Sequence, residues 1–69
     1  MALVRTESGC KVGWDVYDNE QEAKEASKKA EEHGFAMMAR GYDFGYCWPG
    51  DVEHFVDENG TDLWRVTVP

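Results

Sequence analysis

The sequence predicts an α+β fold in which one long helix packs on a small antiparallel sheet of about four strands, in the order β-β-α-β-β. Three observations support this prediction. Residues 12–17 alternate in polarity, residues 23–41 carry small side chains at helical spacing, and an Asn-Gly pair at 59–60 separates two β-rich stretches. We expect residues 1–69 to form a single domain. This length is near the lower limit at which one hydrophobic core is stable without disulfides, a metal or oligomerisation, so a homodimer is an open alternative.

Two strands are predicted before the helix. Residues 2–6 form the first strand, and residues 7–9 form a short connection that ends in glycine. In the second strand Val12, Trp14 and Val16 share one face because side chains alternate across a strand. We therefore expect Trp14 to point into the core.

A helix is predicted to begin at Asp18 or Asn19. Either residue can cap the first turn, and Gln21 or Glu22 stands at the matching third position. Acidic side chains in the first turn also interact favourably with the helix dipole. The start of this helix is the clearest boundary in the sequence.

Small side chains continue the helical register past Gly34. We favour one helix of about 20 residues, because a narrow stripe of small residues lets a helix lie close to a sheet. Phe35 is then partly exposed. If the helix instead breaks at Gly34, Phe35 and Met38 turn inward. The stripe consists of Ala23, Ala26, Ala30, Gly34, Met37 and Gly41.

After the helix, residues 41–50 read GYDFGYCWPG and contain four of the nine aromatic residues. In one interpretation these rings cover an open end of the core. In the other, part of the set is displayed to a protein partner, with Asp43 and Asp51 setting its orientation. The partner-binding residues predicted on this second interpretation are Phe35, Met38, Tyr42, Phe44, Tyr46 and Trp48.

The chain ends in a predicted β-hairpin. Residues 51–56 and 62–68 are rich in β-formers and flank the sequence DENGT. Asp57, Asn59 and Thr61 also resemble the start of a calcium loop, but Val68 stands where such a loop requires an acidic residue. The pattern therefore favours a hairpin turn.

The charge of the chain is strongly acidic. Seven basic and 14 acidic residues give a formal net charge of −7. This charge disfavours direct nucleic-acid binding and anionic membranes, and no apolar stretch approaches the length of a membrane span. A basic protein partner, or mimicry of DNA, agrees better with this negative charge.

No arrangement of residues predicts catalysis, a cofactor or a metal site. Cys10, His33, Cys47 and His54 are suitable zinc ligands by type, but no two of them lie close enough in sequence for a compact zinc motif. Neither histidine has an identifiable orienting carboxylate, and the glycines of residues 41–50 do not precede a helix as a phosphate loop would. We expect a non-enzymatic protein whose two cysteines are reduced in a cytoplasm.

Four motifs resemble those of small accessory proteins encoded by phages of actinobacteria, including mycobacteriophages. They are the opening MAL-RTESG, the helix start DNEQEAKE, the string RGYDFGY with a following PG, and the closing WRVTVP. Together they span nearly the whole chain. The resemblance implies a phage product that acts in the cytoplasm of the bacterial host, and it brings no established activity.

From these observations we expect a module that binds a host protein through an aromatic, acidic surface. Two alternatives remain open. One is a sponge that sequesters a small ligand such as a nucleotide signal, with aromatic rings enclosing the base. The other is an acidic DNA mimic that inhibits a basic host protein.

Overall fold

A computed structural model describes residues 3–69 and contains one helix packed on a four-stranded antiparallel sheet. The sheet order is β1-β2-β4-β3, so the last strand lies between the second and the third. The predicted α+β class and β-β-α-β-β order are confirmed. Residue 2, where the first strand was predicted to begin, lies outside the described residues. The elements are β1 (Leu3–Ser8), β2 (Gly13–Tyr17), α1 (Glu20–Met38), β3 (Val52–Val56) and β4 (Asp62–Val68).

The helix begins and continues as its sequence predicts. Asn19 has an extended backbone, and its side chain accepts a hydrogen bond from the Glu22 amide at 3.0 Å. The helix then runs for 19 residues without a break at Gly34. Phe35 is half exposed, as the continuous helix requires, and Gly41 follows the helix in a turn with φ +92°. The interpretation with one helix is confirmed.

Small side chains allow α1 to lie close to the sheet. Ala23 and Ala30 are buried at the contact, and Val66 of β4 is fully buried beneath them, while Gly34 is buried further along the helix. The apolar side chains packed around this cluster are Tyr17, Ala26, Trp64 and Val68. The helix therefore covers the face of the sheet that carries Trp64, Val66 and Val68.

Trp14 is predicted to point into the core, but the structure places it on the face of the sheet that α1 does not cover. Trp14 pairs with Thr67 across the ladder, whereas Tyr17 pairs with Trp64. Cross-strand partners share a face, so Trp14 lies on the face opposite α1, where it is half-buried. Val16 lies on that opposite face too and is nevertheless fully buried. The sheet thus buries side chains on both faces.

The second hairpin is also confirmed. The Asp57 carboxylate accepts hydrogen bonds from the amides of Asn59 and Thr61, both at 2.9 Å, and Gly60 has φ +82°. The carboxylate satisfies amides within the turn, and glycine takes the left-handed backbone without strain. The turn fixes the register that places His54 opposite Trp64.

Candidate functional site

The aromatic segment, residues 41–50, is attached at its start to the β1–β2 turn. The Tyr42 hydroxyl donates a hydrogen bond of 3.4 Å to the Lys11 carbonyl, and the Lys11 ammonium lies 3.7 Å from the Asp43 carboxylate. The Gly45 amide donates to Asp43 Oδ1 at 2.8 Å. This amide, and then the Lys11 charge, lower the pKa of Asp43. The Asp43 carboxylate therefore stabilises the start of the aromatic segment through its contacts with Gly45 and Lys11.

A tight turn ends the segment. The Asp51 amide donates to the Trp48 carbonyl at 3.2 Å, and Pro49 and Gly50 occupy the two central positions, with φ +100° at Gly50. Proline followed by a left-handed glycine is the signature of a type II turn. The Gly50 amide donates to the Thr67 carbonyl at 2.8 Å, and the Thr67 amide donates to the Asp51 carbonyl at 2.9 Å. This pattern is a glycine bulge that leads the chain into β3.

The same turn lies directly on the helix. A Cβ placed on Gly34 would lie 2.7 Å from Pro49 Cβ, so only glycine permits this approach. A Cβ on Gly50 would lie 3.0 Å from Glu31 Cβ. The Ser27 hydroxyl donates a short hydrogen bond to the Gly50 carbonyl. The end of the aromatic segment is thereby fixed to both α1 and β4.

The structure does not gather the six predicted partner-binding residues into one patch. Phe35 and Trp48 meet edge to face with ring centroids 5.5 Å apart, and both are partly exposed. Met38 is also exposed and lies one helical turn beyond Phe35, where residues three apart share a face. These three residues form an apolar patch beside the helix.

The other three predicted residues lie elsewhere. Tyr42 and Phe44 pack together with ring centroids 4.7 Å apart, and Phe44 is only 4% exposed. Phe44 therefore supports the segment from the interior and does not present its ring to a partner. Tyr46 is fully exposed and borders a depression on the opposite face of the sheet. The aromatic segment thus has one ring in the interior, at Phe44, and a fully exposed ring at Tyr46.

This depression, here called the helix-free depression, is an open concavity of about 670 Å³ on the face of the sheet that α1 does not cover. Tyr46 and Cys47 of the aromatic segment form one side of it. Strand residues from all four strands and the bulge complete the lining, namely Glu7, Trp14, Asp51, Val52, Glu53, Arg65 and Thr67.

Strand register explains why these side chains converge. Glu7 pairs with Trp14, and Trp14 pairs with Thr67, so the three form one row across the sheet. In the neighbouring row, Arg65 pairs with Glu53. Side chains directly opposite each other project to the same face. The ladder therefore sets an aromatic ring between carboxylates from both edges of the sheet.

Arg65 connects the two edge strands through ion pairs. Its Nε lies 3.1 Å from Glu7 Oε1, and its Nη1 lies 2.6 Å from Glu53 Oε1. The guanidinium also lies over the Phe55 ring, 4.7 Å from its centroid, which is a cation–π distance. The positive charge of Arg65 is thus shared between two carboxylates of the lining.

Glu7 is paired twice. It accepts a hydrogen bond from Arg5 at 2.9 Å in addition to the one from Arg65. The hydrogen bond from Arg5, followed by the hydrogen bond and charge of Arg65, lowers the pKa of Glu7 against an opposing effect of partial burial. Glu7 therefore stays ionised as an acceptor at neutral pH.

The lining of the depression has an excess of negative charge. Glu7, Asp51 and Glu53 contribute three carboxylates, and Arg65 contributes the one cation. Asp51 has no ion-pair partner among residues 3–69. Such a surface is suited to a positively charged side chain with an apolar stem, since Trp14 and Tyr46 provide aromatic faces beside the carboxylates.

Sequence reasoning did not identify the strand residues of this site. Trp14 is predicted to lie in the core, and no local pattern in the sequence singles out Arg65. The alternation of residues 62–68 does place Arg65 on the face opposite Trp64. Its pairing with Glu7 has no local signal, because 58 positions separate the two residues.

Within residues 3–69 there is no group of three or more His, Cys, Asp or Glu side chains arranged to hold a metal ion. Cys10 and Cys47 are both exposed free thiols. No helix in this part of the chain has the length and apolar character needed to cross a membrane. Comparisons with protein-family models, curated proteins and solved structures found no match.

Proposed function

We propose that the protein is a non-enzymatic interaction module that binds a basic segment of another protein in the helix-free depression. The single observation that supports this proposal is the convergence of two aromatic side chains and three carboxylates on one open surface. The resemblance to phage accessory proteins favours a protein of the bacterial host as the partner. It also favours the host cytoplasm as the place where the two proteins meet.

The recognition step that we propose is the entry of a lysine or arginine side chain between Trp14 and Tyr46. Tryptophan is the strongest aromatic partner for a cation, and the apolar stem of the incoming side chain can lie along the rings. Asp51 lines the same depression and is available for an ion pair. The carboxylates would also accelerate encounter with a basic partner through long-range attraction.

The apolar patch of Phe35, Met38 and Trp48 provides a second contact in this proposal. Trp48 follows Tyr46 by two positions, so the aromatic segment connects the depression to the patch. Exposed aromatic residues and methionine are enriched at protein interfaces. A partner that wraps around the segment would place a basic residue in the depression and an apolar residue against Phe35.

The nucleotide-sponge alternative is less favoured by the charges of the depression. Phosphate groups would meet the carboxylates of Asp51 and Glu53, and the one lining cation, Arg65, already bonds two carboxylates.

The DNA-mimic alternative requires rows of like charge. On α1, acidic residues alternate with lysines, and Lys24 lies 3.7 Å from Glu20. The basic-segment proposal agrees better with both observations.

Nuclear magnetic resonance tests the proposal directly. ¹⁵N-labelled protein is titrated with a short lysine-rich peptide at fixed ionic strength. We expect the largest chemical-shift changes at the Trp14 indole and at the amides of Tyr46 and Asp51. Changes spread evenly over the acidic residues of α1, with none concentrated at the depression, would contradict the proposal.

A pair of matched variants separates the depression from the apolar patch. Tyr46→Ala removes an exposed aromatic ring from the depression and should weaken binding of the short peptide about threefold, as expected for a cation–π contact near the surface. Phe35→Ala removes an exposed ring outside the depression and should leave this affinity unchanged. Equal effects of the two substitutions would count against the assigned site.

A further inference from the structure

We propose that a second copy of this chain pairs with the free edge of β3, so that two four-stranded sheets join into one. Among residues 3–69, β3 has β4 as its only neighbour in the sheet. An unpaired edge presents a row of backbone N–H and C=O groups that another strand can bond. This proposal does not depend on the function proposed above.

Hydrogen bonds at the bulge indicate which backbone groups of β3 face outward. The Thr67 amide donates to the Asp51 carbonyl, so the carbonyl at position 51 points toward β4. In an antiparallel ladder, hydrogen-bonded and non-hydrogen-bonded positions alternate. The register from Val52 to Val56 has no shift, so the alternation continues through the strand. The positions that direct their N–H and C=O groups away from β4 are therefore Val52, His54 and Val56.

A two-fold axis beside His54 brings all of these outward groups into register. Each His54 then pairs with His54 of the second copy, and Val52 pairs with Val56 of the second copy on both sides of the axis. Every outward donor meets an acceptor in this arrangement. A register shifted by two residues would leave some of them unpaired. The hydrogen-bond pattern thus selects one symmetric arrangement, with antiparallel strands and both helices on the same face.

Side-chain exposure favours the same arrangement. Val52 is 42% exposed and Val56 is 54% exposed. Strand register places both side chains on the face that α1 covers only over the central strands, although Val52 also borders the helix-free depression at the edge of the sheet. Opposite side chains in an antiparallel pair approach within about 5 Å. Pairing would therefore bring four exposed valines together as two cross-strand contacts.

The other edge of the sheet is protected against such pairing. In β1 the register shifts between Leu3 and Arg5, which indicates a bulge, and Arg5 and Glu7 place charges along the strand. Bulges and charged side chains are the devices by which edge strands avoid joining another sheet. The bulge at Gly50 and Asp51 lies before β3, so the stretch from Val52 to Val56 has no register shift, and its outward-bonding positions carry two valines. The difference identifies β3 as the edge that pairs.

Electrostatic repulsion sets the conditions for pairing. Asp51 would lie opposite Asp57 of the second copy, and each chain carries a net charge of −7. Salt screens such repulsion. Because a five-residue edge buries little surface, we expect association that depends on both protein concentration and ionic strength. Two helix-free depressions would then lie on one continuous face.

Sedimentation velocity of the full chain tests this proposal. We expect a monomer–dimer equilibrium at protein concentrations from about 10 μM to 1 mM, with the dimer fraction increasing between 0.1 and 0.5 M salt. Val56→Lys should weaken dimerisation about tenfold. The matched control is Val4→Lys on the β1 edge, at a position that is 48% exposed, and it should have no effect. A monomer at every concentration and salt, or equal weakening by both variants, would overturn the proposal.

A disulfide trap tests the register itself. In a background with Cys10→Ser and Cys47→Ser, His54→Cys places two thiols beside the proposed axis, where Cα atoms about 5.5 Å apart permit a disulfide. We expect oxidation to give a covalent dimer with native circular dichroism. Val4→Cys in the same background should remain monomeric. Failure of His54→Cys to crosslink, or equal crosslinking of Val4→Cys, would contradict the assigned edge and register.

Discussion

Pro49 lies in direct contact with α1 at Gly34, where a Cβ would lie 2.7 Å from Pro49 Cβ and 2.8 Å from its Cγ. This contact explains why a glycine occurs within a continuous helix. The loss in helix propensity at Gly34 is offset by the close approach of the turn that ends the aromatic segment. The same contact directs Trp48 toward Phe35 on the helix side.

Gly34→Ala should therefore destabilise the protein. In open space the substitution would stabilise a helix by about 1 kcal/mol. Here the added methyl group overlaps Pro49, and we expect a net loss of about 1–3 kcal/mol in the free energy of unfolding. Urea denaturation measures the change. Ala36→Gly at an exposed helix position serves as the control for propensity, with an expected loss of about 1 kcal/mol. A gain in stability for Gly34→Ala would contradict the packing described here.

Gly50→Ala and Gly60→Ala should differ in their effects. Both glycines have positive φ, at +100° and +82°, so an alanine at either position incurs a backbone penalty of about 1–2 kcal/mol. A Cβ at Gly50 also lies 3.1 Å from the Ser27 carbonyl oxygen, whereas nothing lies within 4 Å at Gly60. We expect a lower thermal midpoint for Gly50→Ala than for Gly60→Ala. Equal midpoints would show that the turn can move away from the helix.

Arg65→Met should destabilise the sheet modestly. The substitution keeps an apolar stem over Phe55 but removes the ion pairs to Glu7 and Glu53. Since both pairs are partly solvent-exposed, we expect a loss of about 1 kcal/mol in the free energy of unfolding. Arg65→Lys should recover only part of this loss, because an ammonium cannot reproduce the two directed hydrogen bonds. Full recovery of the unfolding free energy by Arg65→Lys in chemical denaturation would contradict a role for these two directed hydrogen bonds.

Acid should remove the contribution of Glu7. Its pKa is lower in the folded protein than the ordinary value of 4.5, so its stabilising effect is present above about pH 4.5 and is lost as pH falls through the folded-state pKa. We expect Glu7→Gln to be less stable than the wild type at pH 7, and the difference to shrink below pH 4. Denaturation at a series of pH values measures this. A difference independent of pH would exclude the ionised carboxylate as the cause.

Local patterns in the sequence predict most of the fold. The Asn19 cap, the stripe from Ala23 to Gly34 and the turn at Asp57 each depend on residues that are close in sequence. The face covered by the helix was not predictable from Trp14 and Val16 alone. Period-two alternation shows which side chains share a face, but apolar residues occur on both faces of β2. Which of these faces the helix covers depends on the pairing of β2 with β4.

The candidate site was predicted only in part. The sequence identifies the aromatic segment, and Tyr46 does border the helix-free depression. Trp14, Glu7 and Arg65 reach the depression through strand order β1-β2-β4-β3, which brings together residues that are distant along the chain. The aromatic segment contributes to two surfaces. The Pro49 turn directs Trp48 toward Phe35 on the helix, whereas Tyr46 borders the helix-free depression.

Calorimetric titration with a short lysine-rich peptide tests the central claim, that the helix-free depression binds a basic segment. Wild type is compared with Asp51→Asn, which removes a carboxylate from the depression, and with Asp18→Asn, which removes an exposed carboxylate elsewhere. Both variants make the net charge less negative by one. We predict that Asp51→Asn weakens binding about threefold and that Asp18→Asn leaves it within error, as expected for one exposed ion pair. Equal affinities for the two variants, or no binding by wild type, would contradict the claim.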